Sequence, residues 1–266
     1  MSSTDTTQGT ALVTGASSGI GALYAERLAR RGHDLILVAR DMAKLTALAE
    51  RIRSTTHRQV ELLPADLTAK ADLLRIEKRL QSDPSISLLV NNAGVGATST
   101  LVESDVDSLD KMIQLNVTAL TRLARAVVPG MVARGKGAVI NIASIVALAP
   151  DVLNGTYSGS KAFVLAFTQS MHHELAAKGI QVQAVLPGAT STDFWSTAGV
   201  PVSHLPSEIV MKAEEMVDAA LVGFDRKELV TIPSLPDAAD WDRFDAARKA
   251  LGPNLSRATA AARYTA

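Results

Sequence analysis

Tyr157 and Lys161 stand four residues apart in "YSGSK", with only small residues between them. The apolar text that follows, "AFVLAFTQSM", predicts a helix, and on a helix positions i and i+4 share one face. A phenol and an amine would then enter the same cleft. A free tyrosine titrates near ~10, too high for efficient proton transfer at neutral pH. A neighbouring ammonium favours the phenolate and is expected to lower that value. The pair could therefore give a proton to a bound group or take one away. The same spacing arises at the start of many amphipathic helices, so it needs partners before it signifies chemistry.

A second chemical signal lies near the N-terminus. "TGASSGIG" (14–21) follows an apolar run and opens a helical pattern. Gly15, Gly19 and Gly21 let the backbone approach a pyrophosphate, whose charge the helix N-terminus would meet. The spacing is G-x-x-x-G-x-G, not the common G-x-G-x-x-G. Dinucleotide sites usually add an acidic residue about 20 residues further on, for the ribose hydroxyls. Here the second strand ends "LVAR", with no Asp or Glu at Val38, Ala39 or Arg40. Asp41 comes too late and reads as the cap of the next helix. Alanine does not repel a 2′-phosphate, and Arg40 offers that phosphate paired N–H donors. These residues point to NADP(H); the bland alternative for Arg40 is a solvated surface side chain.

The elements that must position these groups alternate along the chain. Strands are expected at 10–15, 33–40, 59–67, 86–94, 137–144, 180–188 and 228–233. Helices are expected at 19–32, 41–56, 69–81, 105–134, 157–178, 213–224 and 237–250, with Pro129 kinking or ending the long fourth one. Strands of continuous Val, Ile, Leu and Ala are buried on both faces, as in parallel sheets. Strict strand–helix alternation then requires right-handed crossovers. The expectation is an α/β, single-domain Rossmann fold: a doubly wound parallel sheet of about seven strands with helices on both faces. Ligands of such sheets bind beyond the strand C-terminal ends. A polar N-terminal tail (1–9) would precede the domain (10–233), and a C-terminal tail with a helix (234–266) would follow it.

Composition narrows the function classes. The 266 residues carry 27 Lys plus Arg against 27 Asp plus Glu, so no net charge recommends nucleic acid or an anionic membrane. With no cysteine there is no disulfide, thiolate zinc site or cysteine nucleophile. The N-terminus lacks an apolar signal core, and no run of about 18 apolar residues occurs. A cytoplasmic protein without a membrane span is expected. His172 and His173 in "HHE" are adjacent and diverge on a helix, so no metal is expected.

"TGASSGIG", "NNAG" (91–94), Asn116, Ser144, "YSGSK" and "PG" (187–188) stand in the order and spacing of the classical short-chain dehydrogenases/reductases. The chain resembles the NADP-preferring members of that family over about 10–233. The resemblance implies that Gly15, Ser17, Ser18, Gly19, Ile20 and Gly21 cradle the cofactor, with Arg40 at its 2′-phosphate. Asp66 and Leu67 would meet the adenine, although Asp66 could equally cap the helix at 69–81. Asn92, Ala93 and Gly94 would lie along the cofactor, and Pro187, Gly188, Thr190 and Thr192 near its nicotinamide. The implied catalytic set is Asn116, Ser144, Tyr157 and Lys161. Ser144 would polarise the substrate oxygen, Tyr157 exchange the proton and Lys161 also bind the ribose. The Asn116 amide would hold a water linking Lys161 to solvent. A lid at 189–212 would cover an apolar substrate, with Val146, Leu153, Phe194 and Trp195 lining the pocket. The implied activity interconverts a small-molecule ketone or aldehyde and an alcohol with NADP(H). An NAD-dependent hydroxysteroid-like dehydrogenase and a non-catalytic dinucleotide-sensing regulator are the alternatives. A regulator would be expected to lack Tyr157 or Lys161. Family members pair the helices at 105–134 and 157–178 between subunits, so a homodimer or homotetramer is expected.

Overall fold

Each central strand feeds two cores, one on either side of the sheet. Ala11 and Val13 of β1 (Thr10–Thr14) face one apolar cluster, while Leu12 between them faces the other. β2 (Asp34–Ala39) repeats this, with Leu35, Leu37 and Ala39 on the first side and Ile36 and Val38 on the second. Burying each large aliphatic side chain stabilises the fold by about 1.5–3 kcal/mol. This period-2 division explains why both strands are continuously apolar. The computed structural model describes residues 8–265; residues 1–7 of the predicted N-terminal tail lie outside the described residues.

The remaining principal strands are β3 (Val60–Pro64), β4 (Ile86–Asn91), β5 (Gly137–Ile142) and β6 (Ile180–Val185). A short pair, β7 (Thr190–Ser191) and β8 (Met211–Lys212), stands apart, and β9 (Val230–Thr231) closes the main sheet. All seven strands of that sheet run parallel in the order β3-β2-β1-β4-β5-β6-β9. Val13 pairs with Leu37 on one side and Val90 on the other, so the order reverses at β1. This is the doubly wound Rossmann architecture. The last strand is shorter than the predicted 228–233: only Val230 and Thr231 pair with β6.

One face carries α1 (Gly19–Arg30), α2 (Met42–Thr56) and α8 (Ala213–Asp225). The other carries α3 (Lys70–Ser82), α5 (Leu120–Arg134) and α6 (Gly155–Leu175). Asp41 caps α2, its carboxylate accepting from the Lys44 N–H at 3.0 Å. The predicted long helix exists but is not uniform. α4 (Val106–Ile113) passes through a π-helical turn, Gln114–Ala119, into α5. Pro129 does not end it. The helix continues to Arg134 and stops at Gly135, whose φ of 64° suits a residue without Cβ.

The chain divides into two compact units, Met1–Pro233 and Ser234–Ala266. In the second, α9 (Ala238–Ala250) is capped by Asp237 and carries Asp245 between Arg248 and Lys249. The small helix α7 (Phe194–Ala198) belongs to the first unit, between β7 and β8. Among the described residues no helix is long and apolar enough to cross a membrane.

Candidate active site

The glycine turn is built by close approach. Gly15 and Gly19 hold φ of 65° and 53°, in the left-handed region that glycine tolerates best. A Cβ on Gly21 would lie 2.3 Å from the Gly15 carbonyl oxygen, so α1 can start here only on glycine. Asn92 pins the turn: its side-chain N–H group donates to the Thr14 and Gly15 carbonyls at 2.9 and 3.2 Å. The Thr14 hydroxyl accepts from the backbone N–H groups of Asn92 and Ala93. Ser18 makes no side-chain cap on α1. The first-turn N–H groups thus keep their positive end for an anion. Ser17, Ser18 and Gly19 line a cleft of about 480 Å³ together with Thr192 and Lys212. Ile20 turns inward against the core. Gly21→Ala is therefore expected to lower Tm by several degrees and to weaken nucleotide binding, as thermal melts with and without nucleotide would record.

At the end of β2, Ala39 is buried and Arg40 is exposed, with no ion pair among the described residues. Asp41 is committed to its helix cap. Asp66 folds back on its own loop, accepting from the Thr68 N–H and hydroxyl at 2.9 and 2.7 Å. It does not cap α3, whose N-cap position is Ala69; Leu67 beside it is buried.

The opposite wall gathers the other polar groups. Asn154 caps α6, accepting from Thr156 and Tyr157 N–H, and so fixes where the helix presents Tyr157. One turn on, Lys161 Nζ lies 5.8 Å from the Tyr157 ring centroid and donates to the Ile142 carbonyl at 2.9 Å. Ser144, just beyond β5, stands near enough to Tyr157 for its hydroxyl to draw the phenol pKa downward. Its hydroxyl also accepts from the Val146 N–H at 3.3 Å and donates to Pro187 O at 3.4 Å. All three side chains are buried.

Burial governs their titration, and here the sequence-based expectation is corrected. The Tyr157 pKa is not lowered. Desolvation pushes it up to about 12, against the smaller opposing effect of the Ser144 hydroxyl. Desolvation likewise brings Lys161 down to about 8. Each charged form loses water on burial, and that loss outweighs what the 5.8 Å separation returns. At neutral pH Tyr157 is a neutral phenol and Lys161 still carries its proton.

Asn116 is fully buried in the π-helical turn, not on a helix surface. Such turns recur at functional sites. Its side-chain N–H groups donate to Val95 O at 2.9 Å and Ser160 Oγ at 3.0 Å; its Oδ1 accepts from Val95 N–H at 3.0 Å. Both donors are thus engaged within the protein, and one Oδ1 lone pair remains for the predicted water. A Cβ on Gly94 would lie 3.1 Å from Asn116 Oδ1 and 3.5 Å from Lys161 Nζ, so Gly94 keeps the space between them open. Ser160 escaped the sequence reading although it lies inside "YSGSK"; it donates to the Tyr157 carbonyl at 2.7 Å.

Next to Tyr157 the wall is apolar. Val146, Leu153 and Phe194 pack in one cluster with Tyr157, joined by Val95, Leu109 and Met112, which the sequence reading did not single out. The Phe194 ring lies 5.8 Å from that of Tyr157. Gly96 makes room for it: a Cβ there would fall 2.3 Å from Phe194 Cζ. Trp195 stands outside this cluster. It is buried against the Phe194 edge at 5.7 Å, and its indole N–H donates to Thr190 O at 2.9 Å. That bond makes Trp195 an internal support of the lid. Pro187 accepts from Ile145 N–H, and Thr190 donates to Gly188 O. Thr192 Cγ2 lies 3.2 Å from where a Gly19 Cβ would sit, bringing the lid against the glycine turn. No group of three His, Cys, Asp or Glu side chains suited to a metal occurs among the described residues.

Comparison with known proteins joins this geometry to others. The sequence profile described as short chain dehydrogenase matches residues 9–200. A short-chain dehydrogenase from Sphingobium yanoikuyae, solved in complex with NADPH, is 53% identical with a TM-score of 0.94, over 96% of this chain and 99% of that one. A bulky-bulky ketone specific alcohol dehydrogenase from Comamonas testosteroni is 48% identical with a TM-score of 0.90, over 97% of this chain and 99% of its own. The 17-beta-hydroxysteroid dehydrogenase type 3 of Homo sapiens is 35% identical over 79% of this chain, and the match spans 66% of that enzyme, just under two thirds of its length.

Proposed function

The chain belongs to the short-chain dehydrogenase family and is an oxidoreductase of that family, and from this premise we propose that it interconverts a bulky apolar ketone and its secondary alcohol with NADP(H). The observation that carries this reading is the placement of Tyr157 and Ser144 at the edge of the apolar cluster, with buried Lys161 one turn away.

The residues present fit NADP(H). The open α1 N-terminus and the Gly15–Gly21 turn suit a pyrophosphate, the free Arg40 guanidinium suits a 2′-phosphate, and Gly94 keeps space beside the Lys161 ammonium for ribose hydroxyls. When bound, the reduced cofactor supplies the hydride. Ser144 donates a hydrogen bond to the substrate carbonyl oxygen and orients it. Tyr157, protonated because burial holds its pKa near 12, gives its proton to that oxygen as negative charge develops there. The Lys161 ammonium stabilises the phenolate left behind. Asn116 and Ser160 hold the helix turn that presents both groups. In oxidation the same phenol oxygen accepts the alcohol proton.

The Comamonas enzyme's specificity for bulky-bulky ketones comes to this chain as a proposal, supported by the wall of Val146, Leu153, Met112 and Phe194. The test is NADPH oxidation with ketones graded in the size of both carbonyl substituents. A higher kcat/KM for ketones with two large apolar groups than for small ketones is expected; turnover of small hydroxy-ketones alone would overturn the reading. Phe194→Ala is expected to raise KM for a diaryl ketone about tenfold and leave acetone-sized ketones within about twofold, since a buried aromatic contact disappears.

A further inference from the structure

The lid between Gly188 and Lys212 carries Phe194 over Tyr157, and among the described residues its hydrogen bonds to the rest of the domain, away from its ends, converge on one carbonyl. Its hydrogen bonds are otherwise internal: Trp195 to Thr190, Val200 to Trp195, and the β7–β8 pair. Both of the bonds to that one carbonyl come from Thr98. The Thr98 N–H donates to Ala198 O at 3.2 Å, and the Thr98 hydroxyl donates to the same oxygen at 2.8 Å. Ala198 ends α7, so its carbonyl has no partner within the helix. Gly199 follows with φ of 102°, a conformation that turns the chain away; a Cβ there would lie 3.3 Å from Thr98 Oγ1.

We infer that Thr98 is a positioning residue for substrate selection: it latches the C-terminal end of α7 and thereby fixes the Phe194 ring against Tyr157 and Gly96. The geometry is economical. The latch lies on the loop after β4, two residues beyond Gly96, and Gly96 is where the Phe194 ring rests. One short loop therefore provides both the seat for the ring and the tie that holds it there. Thr98 neither contacts the reacting atoms nor lines the glycine turn. Its loss should therefore change how well a large substrate is enclosed, while proton transfer and nucleotide affinity stay as they were. This inference rests on the reading of Tyr157 and Phe194 as the substrate site.

Thr98→Val keeps the side-chain shape and the backbone bond and removes the hydroxyl donor; Thr98→Ser restores the donor. The chain has two tryptophans, so Trp241→Phe leaves Trp195, inside the lid, as the sole indole reporter. In that background Thr98→Val is expected to shift Trp195 emission to longer wavelength. It should raise KM for a bulky ketone about fivefold, as the loss of one neutral hydrogen bond implies. kcat for a small ketone and the NADPH dissociation constant should stay within about twofold, and Thr98→Ser should behave as wild type. Unchanged Trp195 emission in Thr98→Val, with circular dichroism showing a folded protein, overturns the latch whatever the enzyme reduces. Equal rises in KM for bulky and small ketones overturn its role in selection. A shifted emission in a protein whose parent reduces no ketone supports the latch and overturns the reading of the site.

Discussion

Tyr157→Phe is expected to lower turnover at least about a thousandfold while NADPH binds with an unchanged dissociation constant, since a positioned general acid contributes about 10²–10⁴ in rate. The substitution removes one oxygen from a side chain that is buried and packed against Phe194, so the ring still fills its place. The two readouts separate chemistry from folding: steady-state NADPH oxidation reports the first, and nucleotide titration with a thermal melt reports the second. Activity within a few-fold of wild type would remove Tyr157 from the proton-transfer role. Ser144→Ala in the same assay should fall between the two, because it takes away a hydrogen bond to the substrate oxygen and leaves the proton donor.

Arg40→Ala is expected to weaken NADPH binding at least about tenfold and leave NADH binding unchanged. A charge-assisted contact to phosphate is among the stronger hydrogen bonds, and only NADPH carries that phosphate. The structure favours this outcome because Arg40 is exposed without an ion pair among the described residues and Asp41, the next residue in the chain, is engaged as the α2 cap. Wild type should therefore prefer NADPH by at least about tenfold in kcat/KM. Ala39→Asp with Arg40→Leu should reverse the ratio. Ala39 is buried at the edge of one core cluster, so a carboxylate there will also lower Tm, and the cofactor ratio is the quantity to read. Equal use of NADH and NADPH by wild type would overturn the assignment of Arg40.

Much of this molecule is local in origin and therefore readable from the chain. The central strands β1 and β2 announce themselves because burial on both faces demands nearly unbroken apolar runs. The glycine turn is equally local: Gly15 and Gly19 need positive φ, and Gly21 needs a missing Cβ. The i, i+4 spacing of Tyr157 and Lys161 brings them to one face by helix geometry alone. The cap on α2 follows from Asp41 preceding a helical pattern.

What the sequence could not decide depends on atoms brought together from distant segments. The Tyr157 pKa rises because neighbours from other elements exclude water, and local spacing alone suggested the reverse. Asn116 becomes a buried clamp only when the π-helical turn faces Val95 and Ser160. Trp195 and Phe194 are adjacent in sequence and equally aromatic. Which of them faces Tyr157 is set by the direction of α7, by the space that Gly96 leaves, and by the Trp195 bond to Thr190. Thr98 is a polar loop residue with no local signature; it gains its meaning from a carbonyl a hundred residues away. The sequence by itself determined the sheet, the phosphate-binding turn and the proton-transfer pair, because backbone conformation and period fix those over a few residues. The tertiary structure alone decided charge state, lid attachment and the substrate-facing ring, because solvent exclusion and close approach exist only once the chain has folded.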